Sequence, residues 1–149
     1  AKDSKTWGSA SVLAQQGAVA LAASDTAAAL KTVRELLLLL PSSVYSEPVR
    51  DAKDDMNRLL TDSAMENGLK LAKMVADKHS LLELYPTYGA GAHVALARLD
   101  GEPCGIVSTE FTVDEGRLDA ASCDKIARHV GMHTHFSSWD RRFVNRQKL

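Results

Sequence analysis

The chain has 149 residues, 45% hydrophobic and 25% charged, with a formal net charge of −1. That length holds one ordinary domain or two small pieces, and the balance is that of a globular protein. A near-neutral chain has no basic excess to neutralise a phosphate backbone, so nucleic acid is not an expected partner. No apolar run approaches the roughly 18 residues of a bilayer span. The N-terminal AKDSKTWGS lacks an apolar signal core, and Cys104 and Cys123 form no CxxC pair. Both features lead to the expectation of a cytoplasmic chain with free thiols.

Along the chain, GAVALAAS at residues 17–24 is short, small and apolar, and reads as a buried strand. Ser24 and Asp25 supply N-cap oxygens for a helix over residues 25–40, where Leu30, Val33, Leu37 and Leu40 recur at helical spacing. Pro41 disfavours helix at Leu40 and ends it. Residues 41–62 are polar, with two prolines and a charge run, and form the best linker candidate. A second amphipathic helix is expected over residues 64–78, with Leu69, Ala72, Val75 and Ala76 on one face. LLELY at 81–85 reads as a strand. HVALARL at 93–99 and CGIVST at 104–109 read as two more, joined by Asp100-Gly101, a pair that favours the tight antiparallel hairpin turn. Pro103 limits hydrogen bonding where the second hairpin strand begins. Residues 119–130 read as a helix with Ile126, Ala127 and Val130 apolar. Alternating strands and helices indicate an α/β fold. A buried parallel strand should follow, yet SSWDRRFVN places Asp140, Arg141 and Arg142 where apolar residues belong.

Several residue groups invite chemical readings. His129, His133 and His135 form an H-x3-H-x-H cluster, and two histidines four apart share a helix face that zinc can use. No acidic or thiol ligand stands in register, so a solvated helix end is the plainer reading. Cys104 and Cys123 could be nucleophiles, but neither has a His–acid arrangement beside it. Lone cysteines are more often small buried hydrophobes. Glu110 with Asp114 and Glu115 could pair for acid–base work, against the simpler reading of a solvated turn. Tyr85, Tyr88 and the glycines Gly89 and Gly91 could line a ligand surface, against a strand end and turn. The Leu36–Leu40 run suits a core or subunit interface.

Three stretches resemble the carboxyltransferase subunits of biotin-dependent acyl-CoA carboxylases and decarboxylases. They are GAVALAASDTAAALKTVRELLLLLP (17–41), VADKHSLLELYPTYGAGAHVALARLDGEPCGIVST (75–109) and LDAASCDKIARHV (118–130). The second is similar to the family's D-x-x-S-x-x-E segment and G-x-A-R-x-x-G-x-P-x-G-I-V hairpin, the third to its L-D-x-x-x-x-D-K-x-A-R-x-V helix. The resemblance implies a partial crotonase-like (ClpP/crotonase) α/β fold. Residues 1–41 would end an N-terminal half-domain, 42–63 would link, and 64–149 would begin the C-terminal half. It implies carboxyl transfer between carboxybiotin and a short acyl-CoA. Partners would be acyl-CoA, a biotin carboxyl carrier protein bearing the biotin cofactor, other carboxylase subunits, and further copies in a homo-oligomer when complete. Acetyl- or propionyl-CoA carboxylase β and glutaconyl-CoA or methylmalonyl-CoA decarboxylase α are the matching types. The Ser4–Gly8 stretch is similar to the family's G-x-K-T-H, which makes Lys5 and Thr6 candidate substrate contacts alongside Tyr88, Gly89 and Gly91. Trp7 stands where histidine is common.

The family's chemistry builds negative charge on carbonyl oxygens, which paired backbone N–H groups stabilise. Its Gly-Gly and Gly-Ala donor pairs are not found here, and GAGA at 89–92 aligns with the hairpin entrance instead. No catalytic residue is therefore assigned, and the isolated chain is expected to be inactive. The family's C-D-A-F-x-I-P continuation is replaced by HTHFSSWDRRFVN. A non-catalytic crotonase-like interaction module is the alternative reading.

Overall fold

A computed structural model describes residues 8–43, 46, 49–52, 54, 55, 57 and 67–135, the last three by backbone only. Helix α1 (Ala10–Gln15) was not expected from the sequence. Ser9 caps it, accepting from the Val12 amide at 3.4 Å. Gly17, at φ +70°, closes it: the Ala18 N–H reaches Leu13 O at 2.9 Å and the Gly17 N–H reaches Ala14 O at 3.1 Å. This is a Schellman closure, and it requires the left-handed residue that glycine supplies. Residues 17–24 are consequently not a strand. They run on from the helix cap and are held beside the end of the first strand by the Tyr85 N–H, which donates to Ala20 O at 2.8 Å.

Helix α2 (Thr26–Leu39) begins where expected. Asp25 Oδ1 accepts from the Ala28 amide at 2.8 Å, and Leu40 before the proline is extended. The face it buries is the surprise. Leu39 and Leu36 turn inward, while Leu30, Val33 and Leu37 are 67%, 51% and 64% exposed. Helix α3 (Gly68–Val75) is capped by Asn67, whose side chain accepts from Lys70 N–H at 2.8 Å. It stops three residues before the expected end because Ala76 is extended and the Asp77 N–H goes to Arg98 O at 2.8 Å.

Among the described residues the sheet has three antiparallel strands in the order β1 (Leu82–Leu84), β2 (Ala92–Leu99), β3 (Glu102–Thr109). Leu99 pairs with Glu102 across Asp100 and Gly101, whose φ values are +51° and +75°. Two consecutive positive φ angles define the type I′ turn that the Asp-Gly pair favours. Pro103 sits within β3, opposite Arg98, on an edge strand where a missing N–H is tolerated.

Side chains alternate across β2, and both faces are covered. Val94 and Leu96 meet Leu84, Leu39, Leu36, Leu21, Ile126 and Met132 on one face. Each large aliphatic group buried there stabilises the fold by about 2 kcal/mol. On the other face, Ala95 and Ala97 are fully buried, and α3 is fastened alongside by the Ser108 hydroxyl donating to Gly68 O at 2.9 Å. Helix α4 (Ala120–His135) runs through Gly131 and beyond Val130, where it was expected to end. Residues 136–149, where a strand was expected and a polar stretch stands, lie outside the described residues.

Candidate functional site

The loop between β1 and β2, residues 85–91, holds four of the residues singled out in the sequence, and α4 organises it. Asp119 caps α4 by accepting from the Ser122 N–H at 2.7 Å, and hydrogen bonds from Ser122 hold its carboxyl below the usual range. That cap aims two buried side chains at the loop. Ser122 Oγ accepts from the Gly91 amide at 3.1 Å. Lys125, 1% exposed, donates from Nζ to Tyr88 O and Ala92 O at 2.8 Å each, and to Gly89 O at 3.4 Å. Burial pushes the Lys125 ammonium pKa down, and the nearby Glu83 charge opposes the shift.

Tyr88, Gly89 and Gly91 are thus brought together, each against α4. The Tyr88 hydroxyl donates to Asp124 Oδ2 at 3.0 Å, which raises the phenol pKa. Arg128 pairs with Asp124 at 2.7 Å, lies 5.8 Å from the Tyr88 ring centroid, and donates to Gly17 O at 2.6 Å. Gly17 is needed a second time here, since a Cβ would stand 2.6 Å from the Tyr88 ring. Gly89, at φ +59°, approaches the Ala121 carbonyl, where a Cβ would come within 2.9 Å. Tyr85 turns into the core cluster. Lys5 and Thr6 lie outside the described residues.

An oxyanion cradle needs neighbouring N–H groups aimed at open space. Gly91 N–H is engaged by Ser122, Ala92 N–H by Gly89 O at 3.3 Å, and Tyr88 N–H by Tyr85 O at 3.2 Å. The Gly91-Ala92 step therefore has no free N–H pair to offer a thioester or a biotin carbonyl.

The remaining candidates separate clearly. Cys104 is half-buried, and burial together with the Asp77 charge pushes its thiol up to about 11, so it is no thiolate nucleophile near neutrality. Cys123 is exposed on α4 rather than buried. Asp114 and Glu115 are exposed beside Arg117, as a solvated turn requires. Glu110 departs from that reading, being 4% exposed and hydrogen-bonded to His93 and Thr112. His129 is 2% exposed within α4, not at a solvated helix end. The side chains of His133 and His135 lie outside the described residues. Among the described residues, no group of three or more His, Cys, Asp or Glu can hold a metal ion.

Two side-chain arrangements were not expected from the sequence, although Asp77 and Glu83 stand at the two ends of its D-x-x-S-x-x-E segment. Asp77, 6% exposed, clamps the hairpin turn, with Oδ1 accepting from Asp100 N–H at 3.0 Å and Oδ2 from Gly101 N–H at 2.7 Å. Glu83, His93 and Glu110 form a polar cluster on the α3 face of the sheet. The sequence marks Glu83 and His93 as polar residues in two apolar strands but does not show that they meet Glu110.

This arrangement has counterparts among solved structures. The chain superposes on a single-chain, multi-domain long-chain acyl-CoA carboxylase with TM-score 0.69 and 22% identity, covering 85% of this chain and 13% of that one. It superposes on Transcarboxylase 12S, solved as a hexamer with hydrolysed methylmalonyl-coenzyme A bound, with TM-score 0.63 and 26% identity, covering 77% and 25%. The fold is a partial crotonase-like α/β domain of the carboxyltransferase class. Residues 2–137 match the Carboxyl transferase domain, and the chain belongs to that family.

Among relatives, the propionyl-CoA carboxylase beta chain of Mus musculus is 34% identical over 112 residues, covering 68% of this chain and 21% of that protein. Methylmalonyl-CoA decarboxylase subunit alpha of Veillonella parvula is 29% identical over 124 residues, covering 76% and 24%. The chain spans between a fifth and a quarter of the length of these relatives.

Proposed function

We propose that the chain is the seam of a biotin-dependent carboxyltransferase, joining the end of an acyl-CoA-binding half (residues 1–41) through a linker (42–63) to the start of a biotin-binding half (64–149). The observation that carries this reading is the family match over residues 2–137 within so small a share of each relative's length. The apolar stripe of Leu30, Val33 and Leu37 on α2 supports it, because exposed aliphatic surface at helical spacing is what further domain or subunit would cover. The whole protein would move a carboxyl group between carboxybiotin, presented by a carrier protein, and a short acyl-CoA. Its assembly with other carboxylase subunits and with its own copies belongs to the same reading.

Within that division of labour the described residues do structural work. Lys125 and Ser122 shape the loop at 88–92, and Asp77 fixes the hairpin turn. Lys5 and Thr6 would face the acyl-CoA side, and Tyr88 with Gly89 and Gly91 would border the second half. The donors for the developing oxyanion would come from elsewhere in the complete protein, so the chain alone should not transfer carboxyl groups.

The test is a hybrid in which residues 2–137 replace the matching stretch of a propionyl-CoA carboxylase beta chain. Assembly with retained carboxylation of propionyl-CoA supports the seam. Assembly without turnover favours the second reading, a non-catalytic interaction module, for which the engaged Gly91 and Ala92 amides are the specific support.

A further inference from the structure

The fold buries a polar cluster that carboxyl transfer leaves unused. His93 on β2 places Nδ1 2.7 Å from Glu83 Oε1 on β1 and Nε2 3.1 Å from Glu110 Oε2 just beyond β3. The three side chains are 17%, 19% and 6% exposed in that order. Strand register explains the placement. Glu83 pairs with Ala95 and His93 with Ser108, so both project from the face opposite Leu84, Val94 and Leu96.

Glu110 is held independently of the histidine. Its Oε2 accepts from the Gly68 N–H at 3.2 Å, and its Oε1 accepts from the Thr112 N–H at 3.1 Å and the Thr112 hydroxyl at 2.6 Å. Burial pushes its pKa up, but hydrogen bonds from Thr112, His93 and Gly68 outweigh burial and hold the carboxyl below its usual range. Glu110 is therefore a carboxylate that also fastens the first amide of α3.

Each N···O contact at these distances contains one hydrogen. A neutral imidazole brings one N–H, and an ionised carboxylate brings none. Two contacts thus require either an imidazolium between two carboxylates or a neutral imidazole between one carboxylate and one carboxylic acid. Both arrangements hold the same additional proton, and it belongs to the three groups jointly. The charged neighbours leave this count unchanged. Lys125 on α4 acts on Glu83 through space, α3 contributes the Gly68 amide while its Lys70 and Lys73 are exposed, and Ser108 and Thr112 carry no charge.

We propose that Glu83, His93 and Glu110 form a proton-dependent clasp that ties β1 and the N-terminus of α3 to the central strand. With the proton bound, both contacts are made. When the proton leaves, one contact sets a nitrogen lone pair against a carboxylate oxygen, and that side opens. Because both contacts need that proton, the clasp's stabilisation is present at low pH and is lost as pH rises.

Glu83→Gln in the full chain isolates the effect. A carboxamide N–H can donate to His93 Nδ1 while Nε2–H still donates to Glu110, so both contacts survive without the additional proton. Between about pH 6 and about pH 9, the wild-type melting temperature should fall by about 3 °C or more relative to the E83Q protein. Parallel melting profiles for the two proteins would overturn the clasp.

Discussion

Lys125→Met removes the charge and donors at the centre of the β1–β2 loop while leaving an unbranched side chain of similar volume. In the wild type, Tyr88 O and Ala92 O each accept from the ammonium at 2.8 Å in a fully buried setting. Methionine offers neither a hydrogen bond. Each carbonyl left without a donor costs roughly 1–3 kcal/mol. Part of that is offset because the folded protein no longer desolvates an ammonium. The net loss should be about 2–4 kcal/mol, which for a chain of this length lowers the melting temperature by about 5–15 °C. Urea unfolding followed by circular dichroism reads the loss as a lower midpoint at an unchanged slope. Exchange of the Gly91 amide, bonded to Ser122 next to the same cage, should accelerate together with it. A change below about 0.5 kcal/mol at constant slope would refute the idea that the ammonium organises this loop.

Two further outcomes follow from the turn and the thiols. Gly101→Val should destabilise the chain by about 2 kcal/mol or more in urea, because φ is +75° there and a side chain would meet the backbone of Asp51 and Ala52; a midpoint equal to wild type would contradict the turn geometry. At neutral pH an aromatic disulfide reagent should label Cys123 rapidly and Cys104 only after unfolding, with Cys104 labelling accelerating as pH climbs toward about 11; equal rates for both thiols in the folded protein would count against it.

Elements whose determinants are local were legible in the sequence. Asp25 and Pro41 bracket α2, and Asp100-Gly101 specifies its hairpin turn whatever surrounds it. What failed was the choice among local signals that tertiary contacts decide. GAVALAAS suits a buried strand by composition, but Gly17 closes α1 and receives the Tyr88 ring, a contact made 71 residues away in sequence (88 minus 17). Leucines line α2 on nearly all sides, so spacing alone could not show that Leu36 and Leu39, rather than Leu30, Val33 and Leu37, face the sheet. Lys78 ends no helix because Asp77 leaves it to clamp a turn 23 residues on (100 minus 77).

The candidate site divides in the same way. Tyr88, Gly89 and Gly91 were readable as a special loop because aromatic and glycine residues cluster there. Their attachment to α4 through Ser122 and Lys125 depends on chain folding that no spacing rule conveys. Glu83, His93 and Glu110 come from two strands and the exit of a third, and only the pairing register unites them. Glu110 looked like part of a solvated acidic turn because Asp114 and Glu115 follow it closely. Its burial comes from α3 and Thr112 closing over the carboxylate.

The central claim is that this chain supplies the scaffold between two half-sites and takes its chemistry from the remainder of a larger carboxyltransferase. Turnover of propionyl-CoA by the hybrid carrying residues 2–137 measures it most directly. The seam predicts carboxylation within about tenfold of the unmodified beta chain, a barrier change of about 1.4 kcal/mol. A correctly assembled hybrid with no turnover above background would contradict it.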